Sequence, residues 1–364
     1  MGIVKLAELI KEEAPDAVRP VTLQEYRDRV VALDASVAVY QFRTAMPQMI
    51  NRHGQNISSL QGLFFRTLHL LENGLKPLFV FEGKPPELKQ PVLAKRASLS
   101  GARKGTAESD VPAWPPRRDS ETLLTLLGVP YIQAAAEAEA TCAALVKSGH
   151  AWCAATEDMD ALPFGAVRLL RHLGVRKRHL EEISLPTVLQ KLRMTQEQFV
   201  DLCILLGCDY GHKIRGLGPK KALKLLQLHG SIEEVLRNTS RKSHPVPDGW
   251  RLEETRRLFL QPEVADPSQA LLEWKELDEE GLVNFLAHQK CMKESRVRGR
   301  LEKWRAARQK LREAREAVTK AKGRPKKAAK TMKDFFPVQK RPNKVPTCPP
   351  ARKKQKLSET APGI

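Results

Sequence analysis

None of the six cysteines stands at Cys-x-x-Cys spacing from another, and no histidine pair completes a zinc-finger pattern. Cys142, Cys153, Cys203, Cys208, Cys291 and Cys348 therefore suggest neither a structural zinc site nor a disulfide framework, and reduced thiols are expected. The sequence also lacks any run of eighteen apolar residues, so no membrane-spanning helix is expected. Its first residues, MGIVKLAELIKEEAPDA, carry acids and an amphipathic pattern where a secretory signal needs an unbroken apolar core, which reads as intracellular. No internal repeat of useful length occurs, which sets aside repeat architectures.

What is present is an ordinary soluble composition over 364 residues, enough for one large domain or two smaller ones plus a tail. The net charge of +20 is unevenly placed. From Cys291 to Ile364 there are 24 Lys and Arg against 6 Asp and Glu, leaving 38 against 36 before it. A basic tail adds salt-sensitive attraction to a polyanion or serves nuclear targeting, so specific contacts in the balanced body must come from local patches.

The body reads as alternating strands and helices up to about residue 240. Val30 to Leu33, Leu78 to Phe81 and Ala151 to Thr156 are short apolar runs separated by helical patterns, the signature of a mostly parallel α/β sheet flanked by helices. Acids follow each run: Asp34, Glu82, and Glu157 with Asp158. Ligands of open parallel sheets bind in the crevice beyond the carboxyl ends of the strands. Between Ala97 and Ser120 the pattern breaks into a Pro/Gly-rich excursion, and helical texture resumes at Ser120 and closes at Gly128. Gln196 to Leu206 reads as an apolar helix, and Gly216 to Leu228 as a glycine turn feeding another. From Gly323 onward the Lys/Pro/Ala-rich composition is that of disorder.

Glu137 with Glu139, Asp158 with Asp160, and Asp209 lie where apolar sequence meets turns, as do Asp34 and Glu82. Taken singly, each has an ordinary alternative. Glu137 and Glu139 could be solvated residues favoured by a helix dipole, and Asp158 and Asp160 turn or N-cap residues. Gathered in one crevice they would repel and be costly to bury, a conflict that divalent cations resolve. An all-oxygen donor set without thiolates suits Mg2+, and two such ions can activate water and stabilise the departing oxygen in phosphodiester hydrolysis.

The segments MGIVKLAELI, VALDAS, FEGKPPELK, AEAEATCAALVKSG, ATEDMD, QFVDLCILLGCDY and IRGLGPKKA, in order from Met1 to about residue 285, closely resemble the eukaryotic flap endonucleases of the xeroderma pigmentosum group G nuclease family. The resemblance implies a PIN-like nuclease fold with a helix-two-turn-helix DNA-binding element and a disordered basic tail. It implies one Mg2+ at Asp34, Glu82, Glu137 and Glu139 and a second at Asp158, Asp160 and Asp209. Lys89 and Arg96 match the basic residues of the family's gateway helix, which stabilise charge on the scissile phosphate. Tyr40 matches an aromatic on which a terminal base stacks. Gly2 matches a residue left N-terminal once Met1 is removed. Arg66, Glu137, Gly207 and Asp209 fall on DNA-contact positions. In GCDYGHKIRGLGPKKALKLLQLHG, the resemblance gives Gly216, Gly218, Lys220 and Lys221 contacts to duplex phosphates, with K+ in the turn.

The implied organisation is a nuclease region at 1–100, a shortened arch linker at 101–120, and a second nuclease region at 121–240. A helical extension at 241–322 and the tail at 323–364 follow. The implied substrate is branched duplex DNA with a displaced 5′ strand, met in lagging-strand synthesis and long-patch base-excision repair. Recognition by shape and phosphate is implied. TMKDFFPVQK resembles the peptide that docks on the sliding clamp PCNA, with Met332, Phe335 and Phe336 as its apolar plug. Lys353, Lys354 and Lys356 read as a nuclear-localisation cluster. A monomer in the nucleus, with nucleolar, nucleoplasmic and mitochondrial pools, is the implied setting.

The sequence departs from the family at several points. Glu82 replaces an aspartate, Pro47 replaces a DNA-contacting arginine, Ala329 stands where the clamp peptide has glutamine, and Pro91 enters the gateway helix. The arch segment is short and Pro/Gly-rich. Metal binding and fold are expected to survive, with altered flap selectivity. The alternative is a paralogue that binds branched DNA, and the clamp, with little cleavage.

Overall fold

A computed structural model describes residues 2–35, 49–99, 117–173, 179–240, 242, 244–247, 249–269 and 272–322, without the side chains of 99 and 317–322. The chain divides into two compact units, Met1–Glu313 and Ala314–Ile364. In the first, seven strands form one sheet: β1 (Val18–Val21), β2 (Val30–Asp34), β3 (Lys76–Phe81), β4 (Tyr131–Gln133), β5 (Cys153–Ala155), β6 (Arg168–Arg171) and β7 (Leu180–Ser184). Their order is β1-β7-β6-β5-β2-β3-β4. The five from β6 to β4 run parallel, while β7 is antiparallel to both β6 and β1.

Alternate residues of the central strands serve two different cores, as a pleated sheet covered on both faces requires. Ala32, Leu78, Val80, Ala154 and Leu169 face the helices Leu6–Glu13, Ala138–Lys147, Leu185–Leu192 and Gln196–Leu206. Val31, Leu33, Phe79, Phe81 and Ala155 face the helices Ser58–Glu72, Arg117–Leu126 and Glu279–Val283, together with Val297 and Leu301 of the helix Glu294–Lys322. No described helix is long and apolar enough to cross a membrane.

Three sequence expectations are corrected. Strands stop at Ser184, and among described residues everything beyond is helix or loop. The third apolar run yields only Cys153–Ala155, and the helix expected from Ser120 begins at Arg117. Strands β1 (VRPV) and β7 (LEEIS) are formed by the backbone ladders of β7 with β1 and β6, and polar side chains tie them further: Tyr26 Oη donates to Glu182 Oε2 at 2.5 Å, and Arg19 reaches the other Glu182 oxygen at 3.1 Å. Such strands carry no apolar run. Pro91 is accommodated in the first turn of the helix Gln90–Leu99.

The chain order places the site. After β2 it adds β3 and β4 on one side, then β5 and β6 on the other, so strand order reverses at β2. The crevice that opens at such a reversal lies beyond the carboxyl ends of β2 and β5.

Candidate metal centre and nucleic-acid interface

Each acid is delivered by the end of a strand or helix. Asp34 closes β2 and is 2 % exposed, and Glu82 follows the last residue of β3. Glu137 is the N-cap of Ala138–Lys147 and Glu139 lies in that helix's first turn, where the free backbone N–H groups favour negative charge. Asp158 caps the short turn Met159–Ala161 that follows β5, its Oδ1 accepting from the Asp160 backbone N–H at 3.1 Å. Asp209 comes three residues after the helix Gln196–Leu206.

These acids converge. Oxygen atoms of Asp34, Glu82 and Glu139 lie within 4.8 Å of one another. Glu82 turns inward, its Oε2 accepting from the Ala138 backbone N–H at 2.8 Å, so the extra methylene reaches a helix N-terminus. Burial, then Asp34 and Glu137, push the Glu82 carboxyl up to about 8. Burial and the charges of Asp34, Glu82 and Asp158 hold Glu139 well above the usual carboxylate range. Asp160 is raised likewise, by burial, Asp158 and Asp209. The geometry brings Asp34, Glu82 and Glu139 together, and the charges of Glu137, Asp158 and Asp209 act on this group and on Asp160.

Cations rim it. Lys89 pairs with Glu137 Oε2, which also accepts from Tyr210 Oη at 3.1 Å. Burial works against the Lys89 charge, but Glu137, Glu139 and Glu82 together outweigh it and the ammonium is held above its ordinary value. Arg96 Nη2 reaches both oxygens of Asp209, at 2.7 and 2.9 Å. Two cations do not satisfy seven acids. Glu139 Oε2 and Asp160 Oδ1 are buried with no hydrogen-bond partner, one in each half of the cluster. Orphaned carboxylate oxygens in an all-oxygen donor set fit a hard divalent cation. Gly2 stands against the second half: a Cβ there would fall 1.9 Å from Asp158 Oδ1 and 2.6 Å from Asp160 Oδ1.

Arg66 is half-buried in Ser58–Glu72; burial pushes its guanidinium down to about 10, against the opposing pull of Glu157. The helices Gln196–Leu206 and Pro219–His229 pack together and bracket the expected two-turn connection. Gly207 ends the first with φ +98, which only glycine adopts without strain, and its carbonyl accepts from Val4 N–H at 3.3 Å. Gly216 has φ +75, and Gly218 is the N-cap of the second helix. Lys220 lies at the surface 2.8 Å from Glu12, and Lys221 Nζ sits 2.7 Å from His244 Nε2. Tyr40, Pro47, the arch segment 101–116, Ala329, Met332, Phe335, Phe336, Lys353, Lys354 and Lys356 lie outside the described residues. One contributor was not singled out in the sequence: Tyr210 steadies Glu137, and its only sequence signal was adjacency to Asp209. Glu157, read with Asp158 as an acid following the third apolar run, holds His172 through its backbone N–H at 2.8 Å and its Nδ1 at 3.0 Å.

Residues 1–103 match the family model of the XPG N-terminal domain, and residues 128–209 that of the XPG I-region. The seven acids all fall within these two stretches. The chain is 45 % identical over 333 residues to Flap endonuclease 1 of Ovis aries, covering 85 % of this chain and 88 % of that protein. Identity to Flap endonuclease 1 of Homo sapiens is 44 % over 333 residues, with the same coverage. Flap endonuclease-1 from Methanococcus jannaschii superposes with TM-score 0.63 at 29 % identity, covering 80 % of this chain and 96 % of that one. The catalytic core of Rad2 in complex with DNA substrate reaches 0.70 at 24 %, covering 83 % and 100 %, a likeness of fold.

Proposed function

From the chain's membership of the XPG nuclease family, among the flap endonucleases, we propose that it is a structure-specific nuclease cutting 5′-flapped and branched duplex DNA, with 5′-to-3′ exonuclease action at duplex ends. The observation that carries this is the gathering of Asp34, Glu82 and Glu139, with orphaned buried oxygens at Glu139 and Asp160. Asp34, Glu82, Glu137 and Glu139 would hold one Mg2+, and Asp158, Asp160 and Asp209 a second. Bound there, divalent ions would supply a water of lowered pKa and counter-charge for the phosphodiester.

The chain's own groups do the rest. Lys89 and Arg96 hold the acids of Glu137 and Asp209 in reserve and, when phosphate enters, donate to its oxygens, where charge grows as the bond breaks. Tyr210 keeps Glu137 aimed into the cluster when Lys89 leaves it. Gly2 admits the carboxylates of Asp158 and Asp160 at a distance that no side chain would allow. Arg66, Gly207, Gly216, Gly218, Lys220 and Lys221 would grip duplex phosphates, with K+ in the turn, and Tyr40 would stack a terminal base. Docking on PCNA through Met332, Phe335 and Phe336, and action as a monomer in lagging-strand maturation and long-patch base-excision repair in nucleus and mitochondrion, belong to the same proposal. A binding-only role is disfavoured by Glu82, which lies with Asp34 and Glu139 instead of turning away.

The test compares incision of a 5′ flap and a nicked duplex in Mg2+ by the wild type and Asp158→Ala. Flap incision by the wild type, lost about a hundredfold or more in the variant while flap binding in Ca2+ persists, is expected. A wild type that binds the flap in Ca2+ and leaves it uncut in Mg2+ refutes the proposal.

A further inference from the structure

The amino-terminal edge of the sheet, at the far end of β2 from Asp34, carries a second chemistry. β2 is 5 residues long, which sets this edge about 16 Å from the acids. Arg29 precedes β2, Trp152 precedes β5 and Arg168 opens β6, and the strand order β6-β5-β2 puts the three side by side. The Arg29 guanidinium carbon lies 3.8 Å from the Trp152 ring centroid and that of Arg168 lies 3.9 Å from it. Two planar cations stacked so closely cannot share one face, so the half-buried indole is sandwiched between them. One strand further on, Lys76 opens β3 with its ammonium 5.4 Å from the Trp274 ring.

Among the described residues, no side-chain hydrogen bond or ion pair reaches Arg29, Arg168 or Lys76, whereas Arg19, Arg96, Arg256 and Arg300 each face a carboxylate. Ring attraction explains why each guanidinium lies flat on the indole. It does not explain two like charges on one ring with their N–H edges turned to no acid, an arrangement that an anion stabilises. Cations alternating with aromatics along a rim are complementary to a phosphate backbone. We propose that this edge binds the phosphodiester backbone of nucleic acid, with Arg29 and Arg168 as rigid phosphate donors and Lys76 beside them. Given the nuclease reading on which the choice of nucleic acid rests, the edge anchors substrate remote from the cut and takes no part in the chemistry.

The experiment measures fluorescence anisotropy of a labelled 5′-flap duplex in Ca2+ across a KCl series for the wild type, R29Q/R168Q and R29K/R168K, with thermal melts of each. Two lost phosphate contacts should lower the slope of log affinity against log salt by about 2 and weaken binding up to about sixtyfold at 0.1 M salt. The Lys pair should keep most of the slope, and the cleavage rate at saturating flap in Mg2+ should be unchanged in both. Equal salt slopes in the wild type and R29Q/R168Q overturn the inference, as does a Gln pair that loses affinity for polyglutamate and not for DNA. A wild type that binds flap DNA while R29Q/R168Q loses nothing refutes this inference alone; one that binds no DNA refutes the nuclease reading with it.

Discussion

Metal-free protein should become less stable as pH rises from 5.5 to 7.5, and Mg2+ should reverse the loss. The perturbation is chelation by EDTA, which leaves the acid cluster to Lys89, Arg96 and protons. Burial and mutual repulsion raise Glu139 and Asp160 well above the usual range and Glu82 to about 8. These are acids whose folded-state pKa lies above the unfolded one, so the folded state binds more protons. Their contribution is present at low pH and is lost as pH climbs from the unfolded value toward the folded one. Each proton held by the folded chain and not by the unfolded one tilts stability by about 1.4 kcal/mol per pH unit. One such proton retained over the two units would cost about 2.7 kcal/mol, or roughly 4 °C in Tm for a unit of this size. Divalent ions bind the deprotonated cluster, so the rise in Tm on adding Mg2+ should be small at pH 5.5 and grow toward pH 7.5. Scanning calorimetry in EDTA and in Mg2+ at both values measures this. A Tm in EDTA that holds or climbs over the window, or an equal Mg2+ shift at both pH values, refutes the reasoning.

Arg96→Ala should lower single-turnover cleavage about a hundredfold. The same variant should bind Ca2+ more tightly by titration calorimetry, because the guanidinium competes for both Asp209 oxygens. Gly2→Ala should displace the Asp158 carboxylate and weaken metal affinity and rate by about tenfold or more; unchanged affinity would show that the contact has slack. Arg256→Met strands the buried Asp201, which Arg256 Nε holds at 2.8 Å, and should cost about 3 kcal/mol in urea unfolding with cleavage rate at saturation retained.

The acids were legible because strand ends in a parallel sheet are marked twice, by the apolar run and by the charge that stops it. VALD and LFVFE needed no structure to place Asp34 and Glu82 beyond a sheet edge. Strands β1 and β7 were illegible because LEEIS becomes a strand only through its ladders with β1 and β6, and the side-chain tie of Tyr26 to Glu182 spans 156 residues. Tyr210 escaped for the same reason, since its work is done on Glu137, a partner brought near by folding. The sandwich of Arg29, Trp152 and Arg168 spans 139 residues and three strands, and nothing local in VRPVTLQEYRDRV or SGHAWC announces it.

Alone, the sequence determined which residues could be ligands, because carboxylate chemistry and an apolar run before it are properties of neighbouring residues. Tertiary structure decided that Asp34, Glu82 and Glu139 come together, that Glu82 turns inward onto the Ala138 N–H, and that buried oxygens of Glu139 and Asp160 are left without donors. Repulsion and burial act through space, so they exist only once β2, β3 and β5 stand side by side.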